Sequence, residues 1–214
     1  MKHMNKQNII DALVLRYPML GNNSTMILQA IDCIARCYKS GNKILVCGNG
    51  GSASDALHIV GELMKSFILP RKLEREIEEK IRSKSKNAEY IIKNTQMAIP
   101  AISLVNEISL LTAFSNDVAS DLNFAQQVIG YGKPGDILIA LSTSGNSNNV
   151  VYAAEVANAL GMSVISLTGK SGGQLKDISG ILINVPESDT FKIQELHLPV
   201  YHAICMAIET EIFK

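Results

Sequence analysis

Few residues in this chain are equipped for proton or metal chemistry. There are four histidines, His3, His58, His197 and His202, and no tryptophan. His58 and Glu62 are four residues apart in a stretch of helical periodicity, so they share one face. An imidazole and a carboxylate at that spacing can hold one divalent metal, and either can move a proton. The same spacing also occurs in plain helix-surface hydrogen bonds. Gln194 and His202 are eight apart in a later helical stretch, about 80° around an ideal helix, so both can meet one object lying beside it. His197 points elsewhere and reads as structural, and His3 is too near the N-terminus to assign. Pro199 inside that stretch is expected to kink the helix or free a carbonyl.

Two loops are suited to an anion. Gly48-Asn49-Gly50-Gly51-Ser52-Ala53 follows the apolar run KILVC and opens a helical pattern. Glycines allow the tight turn, and a helix N-terminus offers unpaired N–H groups. The string also fits the dinucleotide fingerprint G-x-G-x-x-A. That fingerprint needs an acidic residue about 20 positions further on, at the end of the second strand. Here the first acid after the next strand is Glu107, far beyond that spacing, so nicotinamide binding is disfavoured. The second loop runs Ser142-Thr143-Ser144-Gly145-Asn146-Ser147, with four hydroxyls in six residues. Hydroxyls and exposed N–H groups can wrap a phosphate monoester without Lys or Arg. The GK[ST] of a nucleotide P-loop is absent. Either loop alone reads equally as a capped helix with a polar turn. Two at the carboxyl ends of strands in one sheet favour a shared ligand.

The elements that must position these groups are short apolar runs at Lys43–Cys47, Ala101–Leu104, Asp136–Leu141, Ser163–Leu167 and Ile181–Val185. They alternate with helical patterns, which predicts an α/β fold with a doubly wound five-stranded parallel sheet. Helices over Lys6–Arg16 and from Ser24 make an N-terminal helical region within residues 1–40, Asn23 or Ser24 being the N-cap of the second. A last helix is predicted over Phe191–Ile212. Between Pro70 and Lys86 the chain reads PRKLEREIEEKIRSKSK, with Glu74/Glu78 and Arg75/Glu79 at i,i+4. This predicts a solvated charged helix, part of an insert over 70–98. A lid or interface role is the sharper alternative. No repeat or low-complexity linker divides the chain, so residues 1–214 read as a single domain.

Composition excludes several classes. Lys+Arg and Asp+Glu are both 20 in 214 residues, for a formal net charge of zero, and 47% of residues are hydrophobic. Disorder requires the opposite balance, and a dedicated nucleic-acid binder would carry a basic excess. No run is long and apolar enough for a membrane span. The start, MKHMNKQNII, lacks the apolar core of a secretory signal, so a cytoplasmic protein is expected. Cys33, Cys37, Cys47 and Cys205 form no CxxC pair and read as buried free thiols of a reducing compartment.

The strings CGNGGSASDALHIVGEL, SND, LSTSGNSNNV, GMSVISLTGKSGGQL and VPESDTFKIQELHLPVYH together resemble the sugar isomerase (SIS) domain family, and within it the phosphoheptose isomerases. The likeness runs from Lys43 onward and includes the helical start. It implies the SIS fold and conversion of sedoheptulose 7-phosphate to D-glycero-D-manno-heptose 7-phosphate through an enediol, a step feeding ADP-heptose assembly. It implies that Asn49, Gly50, Gly51 and Ser52 line the substrate pocket, that Asn116 and Asp117 contact substrate, and that Ser142, Thr143, Ser144 and Ser147 hold the phosphate. It further implies zinc bound by His58, Glu62, Gln194 and His202, with Glu62 and His202 as the acid–base pair, and a homotetramer with active sites lined by adjacent subunits. Glu62 is expected to be the base and His202 the acid, although a metal-bound carboxylate is a weaker base.

Three departures stand out. The segment after Glu62 reads LMKSF where the family usually carries Gly-Arg before the aromatic, so Ser66 stands where an active-site Arg often lies. Lys65 or Arg71 is then the candidate substitute. The charged insert is longer than usual, and Pro199 replaces an aliphatic residue. Two other readings stay open. One is a non-catalytic SIS regulator, such as a relative of the tetramer that assists the replication initiator, which lacks a His at the position of His202. The other is an isomerase of a different sugar phosphate.

Overall fold

The computed structural model describes residues 5–214, so His3 lies outside the described residues. Five strands form one all-parallel sheet: β1 (Ile44–Cys47), β2 (Ala101–Ser103), β3 (Ile137–Leu141), β4 (Ser163–Thr168) and β5 (Ile181–Asn184), in the order β2-β1-β3-β4-β5. Each predicted run is a strand, with ends within about a residue or two. β1 and β3 are buried along their whole length, as parallel strands covered on both faces must be.

Alternation along the strands divides the core. Ile44, Val46, Ile137, Ile139 and Leu141 join the core beneath α1 (Lys6–Arg16), α2 (Ser24–Lys39), α3 (Gly51–Met64) and the last helix. Leu45, Cys47, Leu138 and Ala140 face the other core, under α7 (Asn123–Tyr131) and α8 (Asn148–Ala159). Successive side chains of a strand point to opposite faces, which is why these runs had to be continuously apolar. The remaining helices are α4 (Arg75–Lys84), α5 (Ala88–Asn94), α6 (Ile108–Asp117), α9 (Leu175–Ile178) and α10 (Thr190–Ile212), with a 3₁₀ turn at Pro18–Asn23.

Two details depart from the sequence reading. The charged insert is two helices, because the Ser85–Asn87 break ends α4 before α5 begins. The i,i+4 pairing is present, with Arg75 Nε 2.9 Å from Glu79 and Arg82 Nη1 3.1 Å from Glu78. The Met97 N–H donates to the Arg71 carbonyl at 2.9 Å, so the insert leaves and re-enters the body at one place. Second, α6 and α7 fill the interval between β2 and β3. Pro199 lies inside α10, Thr190–Ile212, and having no N–H it leaves the Glu195 carbonyl without its i+4 donor. The cysteines form no disulfide; Cys37, Cys47 and Cys205 are buried and Cys33 is half-buried.

Candidate active site

From β1 the chain crosses to β2 on one side, and β3 adds on the other. The carboxyl ends of β1 and β3 therefore flank the point where strand order reverses, the place where open α/β sheets bind ligands. Both sequence-predicted loops are there. Asn49 and Asn149 clasp them together, each side-chain amide donating to the other's carbonyl at 2.8 and 2.9 Å.

The glycine loop turns at Gly50, whose φ is 56°, and α3 starts at Gly51. Ser52 is buried and Asn49 exposed. In the second loop Ser142 donates to Ser147 Oγ at 3.1 Å, and the Ser144 hydroxyl accepts the Asn146 N–H. Gly145 has φ 68°, and a methyl group there would lie 2.0 Å from the Gly172 carbonyl oxygen. The Gly169 N–H bonds the Thr143 carbonyl at 2.9 Å, so the 169–174 loop buttresses the serine loop from behind. Asn116 and Asp117 end α6, exposed and hydrogen-bonded to each other at 2.7 Å.

α3 and α10 lie side by side and meet rung by rung. At the first rung Gln194 covers the start of α3, since a methyl group on Gly51 would fall 2.5 Å from its amide nitrogen. At the second, His202 Nε2 is 3.4 Å from His58 Nε2, and His58 Nε2 is 3.4 Å from Glu62 Oε1. At the third, Glu209 reaches the segment that follows α3. The shared face read from the sequence therefore brings His58, Glu62 and His202 together. The recorded side-chain contact of Gln194 is with Gly51, about two turns earlier along α3. Burial, then the neighbouring His58, holds the His202 imidazole below its ordinary pKa, with Glu62 opposing. His197 is fully buried and donates Nε2–H to the Thr168 carbonyl at 3.2 Å, and burial pushes it down to about 4, which is a structural role.

Tetrahedral zinc with ligand bonds of about 2.0–2.1 Å needs donor atoms about 3.3–3.4 Å apart. Two edges of the His58–Glu62–His202 set match this, and two imidazoles with a carboxylate are zinc-type donors. The set is not closed, for among the described residues no three His, Cys, Asp or Glu side chains are gathered into a metal-binding group.

The two candidates for the missing Arg separate here. Lys65 Nζ is 3.2 Å from Glu62 Oε2 and so belongs to the site. Arg71 does not. It is 2% exposed, donates to the Leu63 and Glu62 carbonyls and pairs with Glu209 at 2.7 Å. Its guanidinium caps the C-terminus of α3 from inside, where the helix dipole favours a cation. Two residues escaped the sequence reading. Asp55 lies one turn before His58 on α3, a spacing that was readable. Tyr201 follows Val200 and precedes His202, so helical geometry alone turns it about 100° away and gave no hint of contact. Its hydroxyl is nevertheless 3.1 Å from Asp55 Oδ1 and 3.0 Å from His58 Nδ1.

Fold and site define an α/β protein whose two polar loops meet at the reversal point of its sheet. The sequence profile of the SIS domain matches residues 14–91 and 85–169. A phosphoheptose isomerase of Citrifermentans bemidjiense is 40% identical over 193 residues, covering 90% of this chain and 88% of that one. The solved phosphoheptose isomerase of Francisella tularensis superposes with TM-score 0.75 at 32% identity, covering 91% of each chain. That of Neisseria gonorrhoeae gives 0.70 at 30% identity, covering 94% and 98%. The chain belongs to the SIS-domain family and, within it, to the phosphoheptose isomerases; it is an aldose–ketose isomerase. Among the described residues no helix is long and apolar enough to cross a membrane.

Proposed function

We propose that this isomerase converts sedoheptulose 7-phosphate to D-glycero-D-manno-heptose 7-phosphate, using zinc, as a cytoplasmic homotetramer. The observation that carries the reading is Glu62, a buried carboxylate beside two histidines, on the helix that opens from the glycine loop, which is itself clasped to the start of α8 behind the hydroxyl-rich loop. The serine loop grips the phosphate through Ser142, Thr143, Ser144 and Ser147, with N–H groups at the start of α8. Asn49, Gly50, Gly51 and Ser52 line the sugar chain on one side, and Asn116 and Asp117 approach from α6. Removing a proton from C1 of the ketose gives the enediol, and returning a proton to C2 gives the aldose. Glu62 takes the carbon-bound proton, and His202 exchanges protons at the oxygens. His58, Glu62 and His202 would hold zinc, which when bound supplies Lewis-acid polarisation of the substrate carbonyl. Lys65, beside Glu62, supplies the cation that Ser66 does not.

The test is purified protein with sedoheptulose 7-phosphate, before and after chelation and zinc return. Aldose product that vanishes on chelation and reappears with zinc is expected, and Glu62→Gln should lower turnover by about 10²-fold or more. No aldose product under any metal condition would end the reading. The exchange of Gly-Arg for Lys65-Ser66 favours one second reading, a different ketose phosphate as substrate, which a panel of such sugars in the same assay separates.

A further inference from the structure

Two groups at the His58 rung have no part in the isomerisation just described. Tyr201 is 3% exposed, with its ring edge-on to both His58 and His202 at centroid distances of 5.4 and 5.1 Å. Its hydroxyl sits between Asp55 Oδ1 and His58 Nδ1. Asp55 Oδ2 is buried and has no hydrogen-bond partner among the described residues, so the phenol is the carboxylate's recorded side-chain partner.

The proton count in this chain of three groups is fixed. A phenol has one proton to donate, and a carboxylate can only accept. That proton therefore lies between Tyr201 and Asp55. The phenol oxygen then turns a lone pair toward His58, and the His58 atom facing it, Nδ1, carries the hydrogen. A neutral imidazole protonated at Nδ1 has a bare lone pair at Nε2. His58 Nε2 is the atom 3.4 Å from both Glu62 Oε1 and His202 Nε2.

We propose that Asp55 and Tyr201 are positioning residues that hold His58 in its Nδ1–H tautomer, so that the Nε2 lone pair is presented to a divalent cation shared with Glu62 and His202. This rests on the zinc reading above and adds to it the device that prepares the first ligand. Groups that orient a metal-bound histidine through its far nitrogen typically change metal affinity 10- to 100-fold when removed. The arrangement here is longer than a direct carboxylate–histidine contact, because a phenol is interposed.

The experiment compares the full chain with Tyr201→Phe, Asp55→Asn and the double variant. Zinc affinity is read by competition with a chromophoric chelator, and the His58 tautomer by ¹⁵N NMR of the imidazole nitrogens before zinc is added. Phenylalanine keeps the ring packing and Asp55→Asn leaves the ring untouched, so a folding defect in one variant does not remove the test. Expected are an Nδ1–H tautomer in the parent chain and its loss in both single variants. A fall in zinc affinity of about 10- to 100-fold should accompany it, with the double variant no worse than the weaker single. Unchanged affinity and tautomer in both single variants would overturn the proposal. A parent chain that binds no zinc overturns the zinc reading instead, and the tautomer comparison then decides the positioning role alone.

Discussion

At the scale of single residues, direction matters more than position in the chain. Lys65 and Arg71 were equal candidates as cations, because a sequence gives the distance from Glu62 along the chain and not the way a side chain turns. Lys65 extends to the Glu62 carboxylate, whereas Arg71 is drawn under the end of α3 by two orphan carbonyls and Glu209. His58 and Glu62 were legible because both sit on one helix, where spacing fixes the shared face. Tyr201 was not, because its partners are about 145 residues away on another helix. The Lys65 ammonium is mostly exposed and therefore screened, which limits its worth. Lys65→Met should raise the KM for the sugar phosphate by about tenfold, equivalent to ~1.4 kcal/mol, and leave kcat within a few-fold. Steady-state kinetics decide the matter, and an unchanged KM would remove Lys65 from substrate binding.

At the scale of elements, one ion pair ties three of them. Glu209 of α10 accepts the N–H groups of Phe67, Ile68 and Leu69 at 2.7–2.9 Å as well as the Arg71 guanidinium, both side chains being fully buried. The segment after α3 is thereby fixed to α10, and Glu62 with it. Burial alone would raise the Glu209 carboxyl, but these donors outweigh it and hold the pKa below its ordinary 4.5. Asp136, bound by Lys43, Asn42 and the Lys133 N–H, is likewise lowered against its burial. For a lowered carboxyl, the stabilisation is complete above the unfolded pKa and is lost as pH falls through the folded one. The melting temperature should therefore be steady at neutral pH and decline once pH drops below about 4.5. Glu209→Gln should cost about 3–5 kcal/mol at neutral pH, because it leaves Arg71 buried without its anion. It should also flatten part of the acid decline. Calorimetry across pH is the measurement, and a variant with the parent's stability and acid slope would contradict this account. No sequence rule pairs residues 71 and 209, whereas strands and most helices were legible because short continuous apolar runs and helical periodicity are local signals.

At the scale of the whole molecule, parallel order and doubly wound topology followed from the alternation of buried runs and helices. What the alternation left open was which loops meet. The Asn49–Asn149 clasp and the α3–α10 rungs settle that. The open groove between α1 and α10 is an assembly-scale feature. It has a volume of about 480 Å³ and is lined by apolar residues such as Ile9, Leu13 and Leu198, with His202 in its wall. Leu15 and Met19 nearby are exposed. An apolar exposed face next to His202 suits the proposed tetramer, whose sites would be completed by adjacent subunits. Light scattering in solution should give four times the 23.2 kDa chain mass, and a monomer active at every concentration would exclude it.

The serine loop and the loop after β4 are wedged glycine to glycine. A methyl group on Gly145 would strike the Gly172 carbonyl, and one on Gly173 would lie 2.4 Å from the Ser144 carbonyl. Two strips of backbone this close cannot shear past each other, so a phosphate held by the serine loop, as proposed, would be seated on an anvil. α6, which carries Asn116 and Asp117, buries none of its residues and has no such wedge. Each turnover would thus hold one end of the substrate still while the other end is handled.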